Sequence, residues 1–400
     1  MMADAPGYRS CFLENSRYRA RMQDFESIRP YRDDEVRGIV AKLLRDPKLL
    51  KAAAIFLTPR LEAVLPSVAP SVVAYYLRHK TRDFSTVHDV QLFLSRLMER
   101  IVRDTIHELT IDGLDRIDPD RAYLYVSNHR DIVMDSSLLN LSIYQAGHNT
   151  CRIAVGDNLL TEVYAADLMR LNKSFVVERN ATGARAMYQA MLRTSSYIRH
   201  SLEEGESVWI AQREGRAKDG IDRTDPALLK MIALAYRKET RSFTDVLKKM
   251  TLVPVSVSYE LDPCDSRKAH ELYLTEKFGE YDKPPNEDLE SIVEGIIGFK
   301  GRVHLCISPA VVGDFEDAES LAHEIDRAII GGMKVFPTHV RAAFELFQSH
   351  EEYSGDELPD VNAAFDERLQ ACPEEERPYL LAGYGNLLRN RESILRELER

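Results

Sequence analysis

The chain has no apolar run long enough to cross a bilayer, which takes roughly 18 uninterrupted residues. The nearest approach, Ala52 to Leu77, is broken by Pro59, Arg60, Glu62, Pro66 and Pro70. Paired cysteines are also missing. The five present, Cys11, Cys151, Cys264, Cys306 and Cys372, are scattered and odd in number. That spacing implies neither a disulfide framework nor a zinc site, and reduced thiols in a cytoplasmic protein fit it best. No excess of positive charge exists either. A net charge of −11 over 400 residues argues against nonspecific binding to nucleic acid, though it leaves room for local basic patches. Residues Met1 to Arg21 carry charges throughout and lack the apolar core of a signal peptide. A protein that is soluble, or that rests on a membrane surface, fits these absences.

The apolar periods divide the chain into three stretches. Residues 1–105 read as a helical N-terminal subdomain: an acidic start at Asp33-Asp34-Glu35 precedes Val36, Ile39, Val40, Leu43 and Leu44, and Thr86 to His107 carries a second stripe. Residues 106–312 alternate short apolar runs with helical segments. Strands are expected at Ala122–Val126, Arg152–Val155, Ser174–Val177, Ser207–Ala211, Leu252–Tyr259 and Arg302–Ile307, with helices at Ala184–Leu202 and Asp225–Tyr236. That alternation predicts an α/β domain with a central mixed, largely parallel sheet flanked by helices. Residues 313–400 return to helix at Leu321–Ile330, Thr338–Phe347 and Asn386–Leu398, punctuated by Pro359, Pro373 and Pro378. Tyr75-Tyr76 and Trp209 read as core residues.

Four polar segments stand at strand ends in the middle stretch. The first, Asn128-His129-Arg130-Asp131 through Asp135, places a histidine on a turn with two carboxylates behind it. Such a pair holds an imidazole in one tautomer, ready to take a proton from a hydroxyl. The same residues would serve a plainer purpose if Asn128, Asp131 and Asp135 capped the following helix. The second segment is Gly156-Asp157-Asn158-Leu159-Leu160, followed by Asn172-Lys173-Ser174 through Glu178-Arg179. The third is Gln212-Arg213-Glu214-Gly215-Arg216-Ala217-Lys218, and the fourth is Val253-Pro254-Val255. A proline inside a strand suggests a sheet edge at the fourth.

Taken together, in this order and at these separations, the segments resemble the four motif blocks of the glycerolipid acyltransferases. These are the glycerol-3-phosphate and lysophosphatidic acid acyltransferases. The resemblance covers roughly residues 120 to 260 and is loose in the N-terminal third. It implies that His129 is the general base, that Asp135 orients the imidazole, and that Arg179 contacts an anionic acceptor head. Five residues separate His129 from Asp135, one more than in the family, so Asp131 competes as the partner. Asn158, Lys173, Arg213, Glu214, Gly215, Arg216 and Lys218 are the other implied substrate-binding positions. Asn172 and Lys173 replace glycines of many members, so a different local turn is expected. Arg216-Ala217-Lys218 replaces the usual Thr-Arg-Ser, which suggests an altered acceptor head.

The implied activity is an O-acyltransferase of membrane lipid synthesis, moving a fatty acyl chain from a thioester to a hydroxyl. The acceptor would be lysophosphatidic acid or a glycerol phosphate. Alternatives are a lyso-aminolipid acceptor, such as an ornithine or glycine lipid, or a catalytically silent lipid-binding protein of the same fold. The acyl donor would be acyl-CoA or acyl carrier protein, acting as a substrate; no bound cofactor and no metal are implied. An insoluble acceptor implies attachment to the inner face of a membrane. Ala52 to Lys80, with its basic end Arg78-His79-Lys80-Thr81-Arg82, offers an apolar surface for it, or else forms the core of the helical subdomain.

Overall fold

The computed structural model describes residues 25–160, 162–347 and 363–398. Cys11, Pro359 and the stretch Met1 to Arg21 lie outside these. The chain is α/β. Its strands are β1 (Glu108–Asp112), β2 (Leu124–Ser127), β3 (Arg152–Gly156), β4 (Ser174–Val177), β5 (Val208–Ala211), β6 (Leu252–Tyr259) and β7 (Arg302–Ile307). They make a mixed, mostly parallel sheet of seven strands flanked by helices. Two compact units divide the chain: Met1–Leu92 with Ala154–His200, and Phe93–Ile153 with Ser201–Arg400.

In the second unit β2 lies between β5 and β6 and runs parallel to both. β6 runs antiparallel to β7, and β7 parallel to β1. Every residue of β2 and β6 is buried, as expected of strands covered on both faces that read as apolar runs. Pro254 therefore stands inside the sheet, opposite Val126, and not at its edge. The sheet tolerates it because the ladder to β7 begins one residue later, at Val255↔Ile307. Pro254 contributes only its carbonyl there, accepting from the Ser308 amide at 2.9 Å.

Strand β1 and the helices Val163–Leu171, Phe243–Leu247, Asp265–Phe278 and Glu287–Ile297 have no counterpart among the expected elements, and of Met134–Gln145 only the start is marked, by its candidate caps. Met134–Gln145 is buried on nearly every side, including Asp135, Ser136, Asn140 and Ser142, so it has no polar face to give it a helical period. Its Asn140 instead accepts a hydrogen bond from the Cys151 amide at 2.8 Å. The four described cysteines are buried and form no disulfide.

In the first unit, the helix Ala69–Thr81 buries a stripe of mostly small residues: Ala69, Val73, Ala74 and Leu77. Its other face is apolar too. Val68, Val72, Tyr75 and Tyr76 are exposed, Tyr75 at 76%, as are Ile55, Val64 and Leu65 on the preceding segments. Tyr75-Tyr76 is therefore not core, whereas Trp209 is. With apolar residues on both faces up to Leu77, the helix gives little periodic signal of which stripe turns inward. Among the described residues, no helix is long and apolar enough to cross a membrane.

The C-terminal helix Arg377–Leu398 packs with Pro337–Phe347 in the second unit. Buried His339 accepts from the Phe336 amide at 3.0 Å, so its Nε2–H donates to the Tyr259 carbonyl at 3.1 Å. Burial, with the Arg130 charge nearby, holds this imidazole neutral and pushes its pKa down to about 3. The unfolded chain takes up a proton near pH 6.5 and the folded chain does not, so this contribution to stability is complete above pH 6.5 and lost on acidification. Wild type should lose about 1.4 kcal/mol per pH unit relative to His339→Gln between pH 6.5 and 3, measured by urea unfolding. Parallel stability curves would contradict a buried neutral histidine.

Candidate active site

Strand β2 ends by locking its last turn to β6. The Asn128 side chain donates to the Val257 carbonyl at 3.0 Å and accepts from the Val257 amide at 2.8 Å, acting as one more rung of the ladder. His129 follows on the turn, with 13% of its side chain exposed. Asp131 Oδ1 accepts from the amides of Val133 (3.0 Å) and Met134 (2.8 Å), which starts the next helix.

Asp135, in the first turn of that helix and fully buried, gathers the site. Its Oδ2 accepts from His129 Nδ1 at 2.9 Å and from the amides of Arg130 and Asp131 at 2.7 and 2.9 Å. Its Oδ1 accepts from the Tyr259 hydroxyl at 2.8 Å. A carboxylate already held by three other donors acts as acceptor toward the ring, so Nδ1 carries the proton and Nε2 keeps its lone pair. Trp209 meets the His129 ring edge-on, 5.7 Å between centroids. The amide of Ala217, in the third block, donates to the His129 carbonyl at 2.8 Å.

Asp131 does not face the imidazole. It caps the helix through Oδ1, while Oδ2 is buried without a hydrogen-bond partner. Burial, with the Asp135 charge beside it, pushes its carboxyl above the usual carboxylate range. The helix Glu287–Ile297 passes so close that a Cβ on Gly295 would come within 2.1 Å of Oδ2. The additional residue between His129 and Asp135 is thus taken up in a turn that uses one aspartate as cap and the other as ring partner.

In the third block, Arg213, Glu214 and Gly215 are exposed and Arg216 and Lys218 half-buried. Gly215 has φ +72°, a backbone conformation suited to glycine. Lys218 is paired with Glu271, so its charge is compensated within the protein. Arg216 Nη2 donates to Ser291 Oγ at 3.4 Å, and its Nη1 is buried without a partner.

Asn158, Lys173 and Arg179 belong to the first unit. A Cβ on Gly156 would fall 2.4 Å from Asn158 Oδ1 and 3.0 Å from the Arg179 guanidinium, so glycine here lets these two side chains close over the strand end. Asp157 holds the same turn by accepting from the amides of Arg179 and Asn180 at 3.1 and 3.2 Å. Lys173 has φ +59°, the one left-handed residue other than glycine among those described. The turn thus keeps a glycine-type backbone in spite of the lysine, at a cost of about 1 kcal/mol.

Residues 108–258 match the family model described as Acyltransferase. This segment belongs to the acyltransferase family. No curated protein matches the chain. Among solved structures it is similar to the 1-acyl-sn-glycerophosphate (LPA) acyltransferase PlsC from Thermotoga maritima. The identity is 17% and the TM-score 0.38, over 71% of this chain and 92% of that one.

Three residues around His129 were assigned no such role from the sequence. Asn128, one of the candidate helix caps, instead bridges strands. Tyr259 closes the alternation Val253-Val255-Val257 with a polar tip, and it ends β6 at the same end of the sheet as His129 because β2 and β6 are parallel. Arg130 pairs with buried Asp222. No metal-ready cluster of three or more His, Cys, Asp or Glu side chains occurs among the described residues.

The unequal roles of the two aspartates can be measured. Asp131→Asn keeps the capping oxygen and removes a buried ionisable group, so unfolding stability at pH 7 should stay equal to wild type or rise. Asp135→Asn removes the charge that three N–H donors and a hydroxyl converge on, and should cost at least about 2 kcal/mol. Equal losses in the two variants would contradict the assignment.

Proposed function

We propose that the protein is an O-acyltransferase that moves a fatty acyl chain from an acyl thioester, on CoA or acyl carrier protein, to a hydroxyl of a lysophosphatidic acid or glycerol-phosphate acceptor. What carries this reading is the His129–Asp135 pair inside the segment of acyltransferase family. His129 Nε2 takes the proton of the acceptor hydroxyl while its oxygen attacks the thioester carbonyl. The tetrahedral intermediate then expels the thiolate, and the imidazolium returns the proton to sulfur. The new ester C–O bond replaces the C–S bond, and no protein nucleophile takes part. Asp135 stabilises the imidazolium between the two steps. In the second unit, which holds His129, Arg213, Glu214, Gly215, Arg216 and Lys218 are the proposed acceptor-binding residues. The departures in the third block favour a second acceptor class, a lyso-aminolipid whose anionic group is a carboxylate, which guanidinium groups bind equally well.

Purified wild type should transfer labelled acyl groups to one of these acceptors, and His129→Ala should lower kcat about 10²–10⁴-fold, the range of a lost general base. Equal rates for the two proteins across all acceptors would leave a lipid-binding role in its place.

The proposed membrane contact is the exposed apolar face of Val64, Leu65, Val68, Val72, Tyr75 and Tyr76, next to the exposed Arg78, His79, Lys80 and Arg82. Apolar side chains entering the headgroup layer with cations beside them suit an anionic surface. Val72→Asp/Tyr75→Asp should reduce co-sedimentation with phosphatidylglycerol vesicles about 10-fold. Unchanged partitioning would remove this face from consideration.

A further inference from the structure

The helix Arg377–Leu398 lies far outside the segment that matches the acyltransferase family, yet it is bonded to both loops that frame His129. Its Gly383 carbonyl accepts from Arg130 Nη1 at 3.2 Å, one residue from the proposed base. Asn386 Nδ2 donates to the Asp219 carbonyl at 2.7 Å and Asn390 Nδ2 to the Gly220 carbonyl at 3.4 Å, both on the third-block loop. Gly220 has φ +74°, and a Cβ there would stand 2.7 Å from the Ala382 carbonyl and 2.8 Å from that of Gly383. The helix therefore rests directly on that backbone. Tyr384 anchors it a third time, donating to Asp265 Oδ2 at 2.6 Å and accepting from the Asp262 amide at 2.9 Å.

Arg130 is where these restraints converge. Its side chain is 11% exposed and paired with Asp222, which is 1% exposed. Its carbonyl accepts from Lys268 Nζ at 2.7 Å, and its amide donates to Asp135 at 2.7 Å. The guanidinium thus joins the C-terminal helix and Asp222 to the turn whose amides hold Asp135. A planar fork with separated donors can bridge a carbonyl and a carboxylate at once, which an ammonium point charge does poorly.

We propose that the C-terminal helix is a positioning element for the catalytic turn and that Arg130 is the positioning residue through which it acts. This rests on His129 being the base. Arg130 acts through the turn: it keeps the Arg130 and Asp131 amides on Asp135, and so keeps the imidazole in register. Misplacement by about 1 Å in such a site costs about 10²-fold in rate.

The test uses the full-length chain in three forms: wild type, Arg130→Met, and the milder Asn386→Ala/Asn390→Ala. Hydrogen exchange of the 129–135 amides and the kinetics of acyl transfer are read on each. In Arg130→Met those amides should exchange at least about 10-fold faster, and kcat should fall about 10²-fold with KM changed less than about 3-fold. The double asparagine variant should move exchange and kcat in the same directions by smaller amounts, and it decides the matter if Arg130→Met fails to fold. Wild-type exchange at 129–135 in the asparagine variant, or unchanged kcat in a folded Arg130→Met, overturns the proposal. If wild type transfers no acyl group, the functional reading fails by itself, while the exchange data still decide whether the helix holds the turn.

Discussion

A buried carboxylate with four donors around it is the interaction on which this structure depends. Removing Asp135 from water costs several kcal/mol, and the cost is offset only when its lone pairs are filled with good geometry. Three of the donors come from a stretch of three residues, His129, Arg130 and Asp131, and the fourth, Tyr259, from the end of β6. Filling the carboxylate therefore shapes the turn after β2, and the turn in turn orients the ring. The parallel pairing of β2 with β6 is what brings Tyr259 to the same end of the sheet as the histidine.

Around this centre the second unit balances its charges in pairs. Arg130 meets Asp222, Lys268 meets Asp262, Arg368 meets Asp265 and Lys218 meets Glu271. Burial pushes the Asp222 carboxyl up, while the Arg130 charge opposes that shift. These pairs knit the C-terminal helices to the turn after β2, and the last of them compensates Lys218 of the third block. Arg216, with one buried nitrogen unpartnered, stands apart from that compensation.

Much of the sheet was legible because its strands are short apolar runs bounded by polar turns; β4, β6 and β7 fall at the expected residues. Only the start of the helix Met134–Gln145 was legible, from its candidate caps, because a helix buried on all sides has no amphipathic period. Pro254 pointed to an edge because a proline signals a missing donor, and only the register reveals that β7 does not require that donor. Spacing named both Asp131 and Asp135 as partners of His129. The choice between them depends on how a turn folds, which spacing does not encode. Lys173 looked like a departure in the turn, yet its backbone adopts the conformation that a glycine would take. The basic end of the helix Ala69–Thr81 was visible in Arg78-His79-Lys80, but which stripe of its largely apolar start turns outward was not.

The most direct test of the account is the tautomer of His129, read by long-range ¹H–¹⁵N NMR on histidine-labelled protein at a pH where the ring is neutral. A proton on Nδ1, with an unprotonated Nε2, is the result expected from the hydrogen bond to Asp135. A proton on Nε2, or a signal averaged between the two nitrogens, would contradict an imidazole held ready to act as a base.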